Sequence, residues 1–178
     1  MTTLSNLLCL VVAAVFAAVP PFPALAASPT LCAKGEKVVF SCPVKGKIVS
    51  VCASGTSAKE PALLSYRFGK VGVIELTYPT IPKKPAEAFV SGQSSYHGGG
   101  STWLRFKNGG FTYTIFDAHE RGQMETAGVA VERDDKEVAN LKCNPNPENF
   151  DTELLESIGV PNDETAEPFV PPEAFYRN

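Results

Sequence analysis

Few side chains in this 178-residue chain could carry out chemistry, and their spacing decides which chemistry that is. There are two histidines, His97 and His119. His119 belongs to Asp117-x-His119-Glu120. Alternation along a strand would put Asp117 and His119 on one face, a minimal metal-ligand set of a kind that arises readily by chance. No Gly-x-Ser-x-Gly elbow, phosphate-binding glycine loop or His-Glu-x-x-His pair occurs. The expectation is therefore no catalytic residues, no metal and no cofactor.

Of the five cysteines, Cys9 lies in an apolar run near the N-terminus. Cys32, Cys42, Cys52 and Cys143 follow without any Cys-x-x-Cys pair, which argues for two disulfides rather than zinc. Oxidised cysteines supply no thiolate nucleophile. Residues 37–42 and 47–52 read as two strands turning at Pro43-Val44-Lys45-Gly46. Opposing Cys42 with Lys47 puts Val38, Phe40, Cys42, Val49 and Val51 on one face and Cys52 on the other. A Cys42–Cys52 bond is then out of reach, which removes one of the three possible pairings. Of the two that remain open, Cys32–Cys52 with Cys42–Cys143 is the one expected.

With no catalytic set, binding becomes the chemistry to look for. Residues 91–101 read SGQSSYHGGGS, and three consecutive glycines there predict a loop. Ser94, Ser95, Tyr96 and His97 lie in it, with Trp103 and Arg105 on the strand that follows. Tyr, Trp and Arg dominate interface hot spots. These six residues are the candidate partner-binding set, although Trp103 also suits a core position.

The elements that would position them are strands. Val38–Phe40 and Ile48–Val51 form a first hairpin, and Leu64–Phe68 and Val71–Tyr78 a second that turns at Gly69-Lys70. Thr102–Lys107 and Gly110–Phe116 flank Asn108-Gly109, the strongest short hairpin signal in the chain. Gly128–Glu132 and Lys136–Cys143 flank Asp134-Asp135, and Ala88-Phe89-Val90 adds a further strand. Pro79 to Pro85 is a proline-rich loop. Eight or nine strands without a helix among them predict an all-β antiparallel barrel or sandwich of hairpins, residues 27–143. After Cys143 the composition turns acidic and proline-rich. Asp151 caps a short helix over 152–158, stopped by Gly159 and Pro161, and Phe169, Phe175 and Tyr176 are possible anchors of a peripheral arm, residues 144–178.

Residues 7–19 are apolar, and Ala24-Leu25-Ala26 follows them. This reads as a secretory signal peptide over residues 1–26, cleaved before Ala27, although no Lys or Arg precedes the apolar run. Thirteen apolar residues are short for a bilayer span. The expected location is the periplasm or the exterior. Charge is uneven: residues 27–110 carry eleven Lys/Arg against four Asp/Glu, and residues 143–178 one Arg against eight acids. The acidic tail could lie across a basic surface that meets an acidic partner. Basic residues interleaved with aromatics, which nucleic-acid binding would want, are lacking.

The ordered set Cys32-x-x-Gly35-Glu36, Phe40-Ser41-Cys42, Ser65-Tyr66-Arg67-Phe68-Gly69-Lys70, Glu75-Leu76-Thr77-Tyr78-Pro79, Asn108-Gly109-Gly110 and Gly128–Val131 through Leu141-Lys142-Cys143 resembles a family of small exported Gram-negative proteins of no assigned function. That likeness implies export and an all-β fold. A looser resemblance is to periplasmic inhibitors of C-type lysozymes, small disulfide-bearing eight-stranded barrels that block the enzyme's cleft with a serine-bearing loop. Ser91-Gly92 and Tyr96 are similar to that loop, at a different spacing. The functional expectation is a non-catalytic periplasmic binder of a cell-wall hydrolase: a lysozyme inhibitor, or an immunity protein against an antibacterial effector. A peptidoglycan- or glycan-binding envelope module is the alternative.

Overall fold

The computed structural model describes residues 28–56, 60–122, 125–147, 150–163 and 169–176. The predicted signal peptide, Cys9 included, lies outside the described residues. Two antiparallel sheets form the body, with strand orders β1-β2-β3-β4 and β5-β6-β7-β8-β9. The strands are β1 Lys37–Val44, β2 Lys47–Ser54, β3 Leu63–Lys70, β4 Val73–Tyr78, β5 Val90–Tyr96, β6 Gly99–Asn108, β7 Phe111–Glu120, β8 Thr126–Arg133 and β9 Lys136–Lys142. They stack as a sandwich, not a closed barrel. A one-turn helix α1 (Pro85–Ala88) precedes β5, and α2 (Thr152–Ser157) and a 3-10 turn (Glu173–Phe175) follow β9.

Three hairpins are closed by two-residue turns with both central residues at positive φ, which matches the twist of the flanking strands. These are Lys45-Gly46 (46° and 78°), Gly109-Gly110 (57° and 81°) and Asp134-Asp135 (50° and 58°). The first corrects the expected register. Val44 opposes Lys47, so Cys42 opposes Val49 rather than Lys47. A two-residue slip preserves side-chain parity, and Cys42 still faces inward. Val38 does not, because a bulge between Val38 and Phe40 turns Val39 into the core and leaves Val38 exposed. The second hairpin turns at Val71-Gly72, not at Gly69-Lys70. Gly69 instead sits beside a bulge, where a Cβ would lie 2.4 Å from the carbonyl oxygen of Val73.

The inner faces bury Phe40, Val49, Val51, Leu64 and Tyr66 against Leu104, Phe106, Ile115, Ala127 and Val129. An aromatic run, Tyr78–Phe106–Tyr113, stacks at centroid separations of 4.3 and 4.7 Å and joins the sheets. The disulfide Cys42–Cys143 ties β1 to the end of β9. Cys32–Cys52 fastens the N-terminal segment to the outer face of the four-stranded sheet. There Arg67 donates to both carboxylate oxygens of Glu36, at 2.5 and 2.8 Å. That contact holds the Glu36 carboxyl below its usual range against the opposing effect of burial. These two disulfides are the expected pairs, and they indicate an oxidising, non-cytoplasmic compartment. Among the described residues no helix is long and apolar enough to cross a membrane.

The chain beyond Cys143 packs into the body. Asp151 caps α2 by accepting from the Leu154 N–H at 2.9 Å. Leu154, Leu155 and Val160 enter the central core. The segment bridges the two sheets: the Asp151 N–H donates to Val39 of β1, and the Ser91 N–H of β5 donates to Pro161. Phe169 and Phe175 form a second cluster with Trp103, Phe116, Ala118 and Ala130 on the outer face of the five-stranded sheet. The described parts of the expected peripheral arm are therefore structural.

Candidate functional site

The segment expected to be a loop, 91–101, is a hairpin. β5 runs through Tyr96, and β6 begins at Gly99. The expected strand at Ala88-Phe89-Val90 is instead the end of α1 and the start of β5. The glycines are there for close approach rather than looseness. A Cβ on Gly92 would lie 2.3 Å from the Trp103 ring. On Gly99 it would lie 2.4 Å from the His119 carbonyl oxygen and 2.9 Å from the Tyr96 ring, and on Gly100 2.9 Å from the Ser94 carbonyl oxygen. Only Gly98, at the turn, uses positive φ (98°).

Register divides the six candidate residues between two faces. Directly opposed residues share a face, so Tyr96, Ser94, Trp103 and Arg105 fall with Ala118, Phe116 and Thr114 on the outer face. Trp103 is 3% exposed and packs beside Phe169. Arg105 donates to Asp163 at 2.6 Å and to Thr114 at 3.1 Å. Ser101 donates to the Phe169 carbonyl at 2.5 Å, which leaves Ser94, 3.0 Å away, to donate its hydroxyl to Ser101. Tyr96 is half-buried beside the Tyr176 hydroxyl, whose pKa is pushed up by burial and then by Tyr96. Ser95 and His97 are exposed. Trp103 and Arg105 therefore brace the hairpin from behind and do not extend the surface that Ser95 offers.

The opposite face carries polar residues that the linear sequence did not connect. Gln93, Thr102 and Asp117 form one cross-strand row, and Ser95, Gly100 and His119 the next. With Glu125 they line a groove of about 290 Å³ at the end of the sheet. Burial raises the Asp117 carboxyl above the usual range and Glu125 raises it further, while the Ala118 N–H and His119 partly oppose the shift. Asp117 and His119 share a face as expected, but Glu120 lies on the other one, so Glu125 is the nearer acidic neighbour. A second groove, of about 330 Å³, runs along the β5 edge between Gln93 and Ser94 on one side and Thr152 and Glu156 of α2 on the other. Cys32, Glu36 and Cys52 also cluster, but the two sulfurs are bonded to each other and hold no thiolate for a metal.

Strand alternation along 90–96 and 99–108 is the signal that would have united Gln93, Ser95 and Thr102; reading the glycines as flexible concealed it. No family model matches the chain, and no curated protein or solved structure is significantly similar to it.

Proposed function

We propose that this is an exported, non-catalytic binding protein that inhibits a cell-wall hydrolase by seating the end of its β5–β6 hairpin in the enzyme's cleft. The observation that carries the reading is preorganisation. Ser95 and His97 stand exposed on a hairpin whose backbone is clamped by Gly99 and Gly100 and whose Ser94 is tied through Ser101 to the C-terminal arm. A surface ordered before binding loses little entropy on association. Asp117 and Glu125 beside it favour a partner with a cationic cleft rim. The two disulfides suit a protein working in the periplasm, and the resemblance to periplasmic lysozyme inhibitors points to the same class of target.

The test is titration of oxidised protein into a panel of lysozymes and other wall hydrolases acting on labelled peptidoglycan. Stoichiometric loss of turnover with one of them is expected, weakened about tenfold or more by Ser95→Arg and by His97→Ala. Full turnover by every enzyme in the panel would defeat the proposal. The groove at Gln93, Thr102 and Asp117 also favours a second reading, because an amide, a hydroxyl and a carboxylate in one cross-strand row suit sugar hydroxyls. Sedimentation with purified peptidoglycan, lost in Asp117→Ala, would support that glycan-binding role.

A further inference from the structure

The β3–β4 turn presents three branched aliphatic side chains to solvent within four residues: Val71 is 75% exposed, Val73 62% and Ile74 47%. Nothing in the turn calls for them. Gly72 takes the positive φ of 80°, and the position before it accepts polar residues as readily as valine. The β1–β2 turn lies at the same end of the four-stranded sheet, because successive hairpin turns alternate between its ends. It brings Lys45, and Lys70 adjoins Val71. Both lysines are exposed, and neither has an ion-pair partner among the described residues. Glu75 of β4 is already taken by Lys47, at 2.6 Å. The tip thus joins exposed aliphatic groups to uncompensated positive charge.

A specific protein interface needs about 1,000 Å² or more of buried surface. Three side chains on a convex turn supply a fraction of that. A bilayer interface has no such threshold: it takes up a small apolar projection, and nearby lysines meet anionic headgroups. We propose that the β3–β4 tip docks this protein on an anionic membrane surface, with Val71, Val73 and Ile74 entering the interface and Lys45 and Lys70 at headgroup level. The proposal is independent of the hydrolase reading, since it uses the other sheet and none of the same residues.

The experiment is co-sedimentation of the oxidised chain from Ala27 onward, which contains every described residue, with vesicles of phosphatidylcholine alone or mixed with phosphatidylglycerol. Binding to the mixed vesicles is expected, weakened by added salt and reduced about tenfold in Val71→Asp/Val73→Asp and in Lys45→Glu/Lys70→Glu. Val138→Asp, at an exposed aliphatic position on the other sheet, serves as the control and should leave binding unchanged. In Val71→Trp, the tryptophan emission should shift to the blue on vesicle addition. Wild-type protein remaining in the supernatant, equal binding by wild type and Val71→Asp/Val73→Asp, or an apolar tip that instead drives concentration-dependent dimerisation in sedimentation equilibrium would each overturn it.

Discussion

Asp117 shows how much one residue's setting depends on its neighbours across the sheet. Its carboxyl is raised by burial first and by Glu125 second. The folded state therefore holds this proton more tightly than the unfolded chain does. The resulting stability is complete below the ordinary Asp pKa and is lost as pH rises through the folded value. At neutral pH the ionised form is a liability that Asp117→Asn removes. The variant should melt at a higher temperature than wild type near pH 7, with the difference closing below about pH 4. Melts across that range check it; an offset independent of pH would assign the effect to packing instead. The same carboxylate is the negative charge that the groove offers a cationic partner, so a gain in stability should come with weaker binding. Gly92 makes the complementary point about shape. It lies under Trp103, and any side chain there would displace the indole that supports the hairpin.

At the scale of elements, the hairpins are set by their turns, and the turns differ in quality. Gly109-Gly110 meets the demand for two positive φ angles without strain, whereas Asp134-Asp135 meets it with two residues that carry a Cβ. Asp134→Asn/Asp135→Gly should therefore stabilise the protein by about 1 kcal/mol, read as a higher midpoint in urea at unchanged slope. A lower midpoint would mean that the aspartates contribute interactions that outweigh their backbone conformation. The β5–β6 hairpin is steadied differently. Its short turn is backed by the Arg121 N–H donating to Gly98 and by the arm that holds Ser101. The strand end at Ser95 and the turn at His97 are consequently braced from both sides.

Across the whole molecule, the decisive contacts join parts distant in sequence. Cys42–Cys143 closes a separation of 101 residues. The segment after it spans from β1 to β5, and the arm covers the outer face of the five-stranded sheet. Phe175 is fully buried there, edge-on to Phe116 at 4.7 Å and against Gly128. Phe175→Ala should destabilise the fold by about 3–5 kcal/mol in chemical denaturation. A loss below about 0.5 kcal/mol, within the range of ordinary surface substitutions, would return the arm to a peripheral role. Loosening the arm also frees Ser101 and Ser94, and the hairpin should lose affinity for the hydrolase proposed above without any change in Ser95 or His97.

Local rules were enough for much of this. Alternating apolar residues and the residue types at the turns determined the all-β class, nearly every strand and the capped helix after Asp151, while the opposite facing of Cys42 and Cys52 excluded one of the three disulfide pairings and left the choice between the other two to the fold. These features depend on periods of two and on the φ preferences of single residues, which a linear chain displays. The tertiary structure alone decided the exact registers, since a two-residue slip leaves the alternation intact. It also decided that Gly98-Gly99-Gly100 belongs to a packed hairpin, because a glycine required by close approach and one tolerated in a loose loop read identically in sequence. The site was legible only in part, for the same reason. Ser95 and His97 could be found along one short stretch of chain, whereas Thr102, Asp117, His119 and Glu125 are brought beside Ser95 only by the pairing of β5 to β8. Whether Trp103 meets a partner or the core depended on Phe169, 66 residues further along the chain, folding back over the sheet.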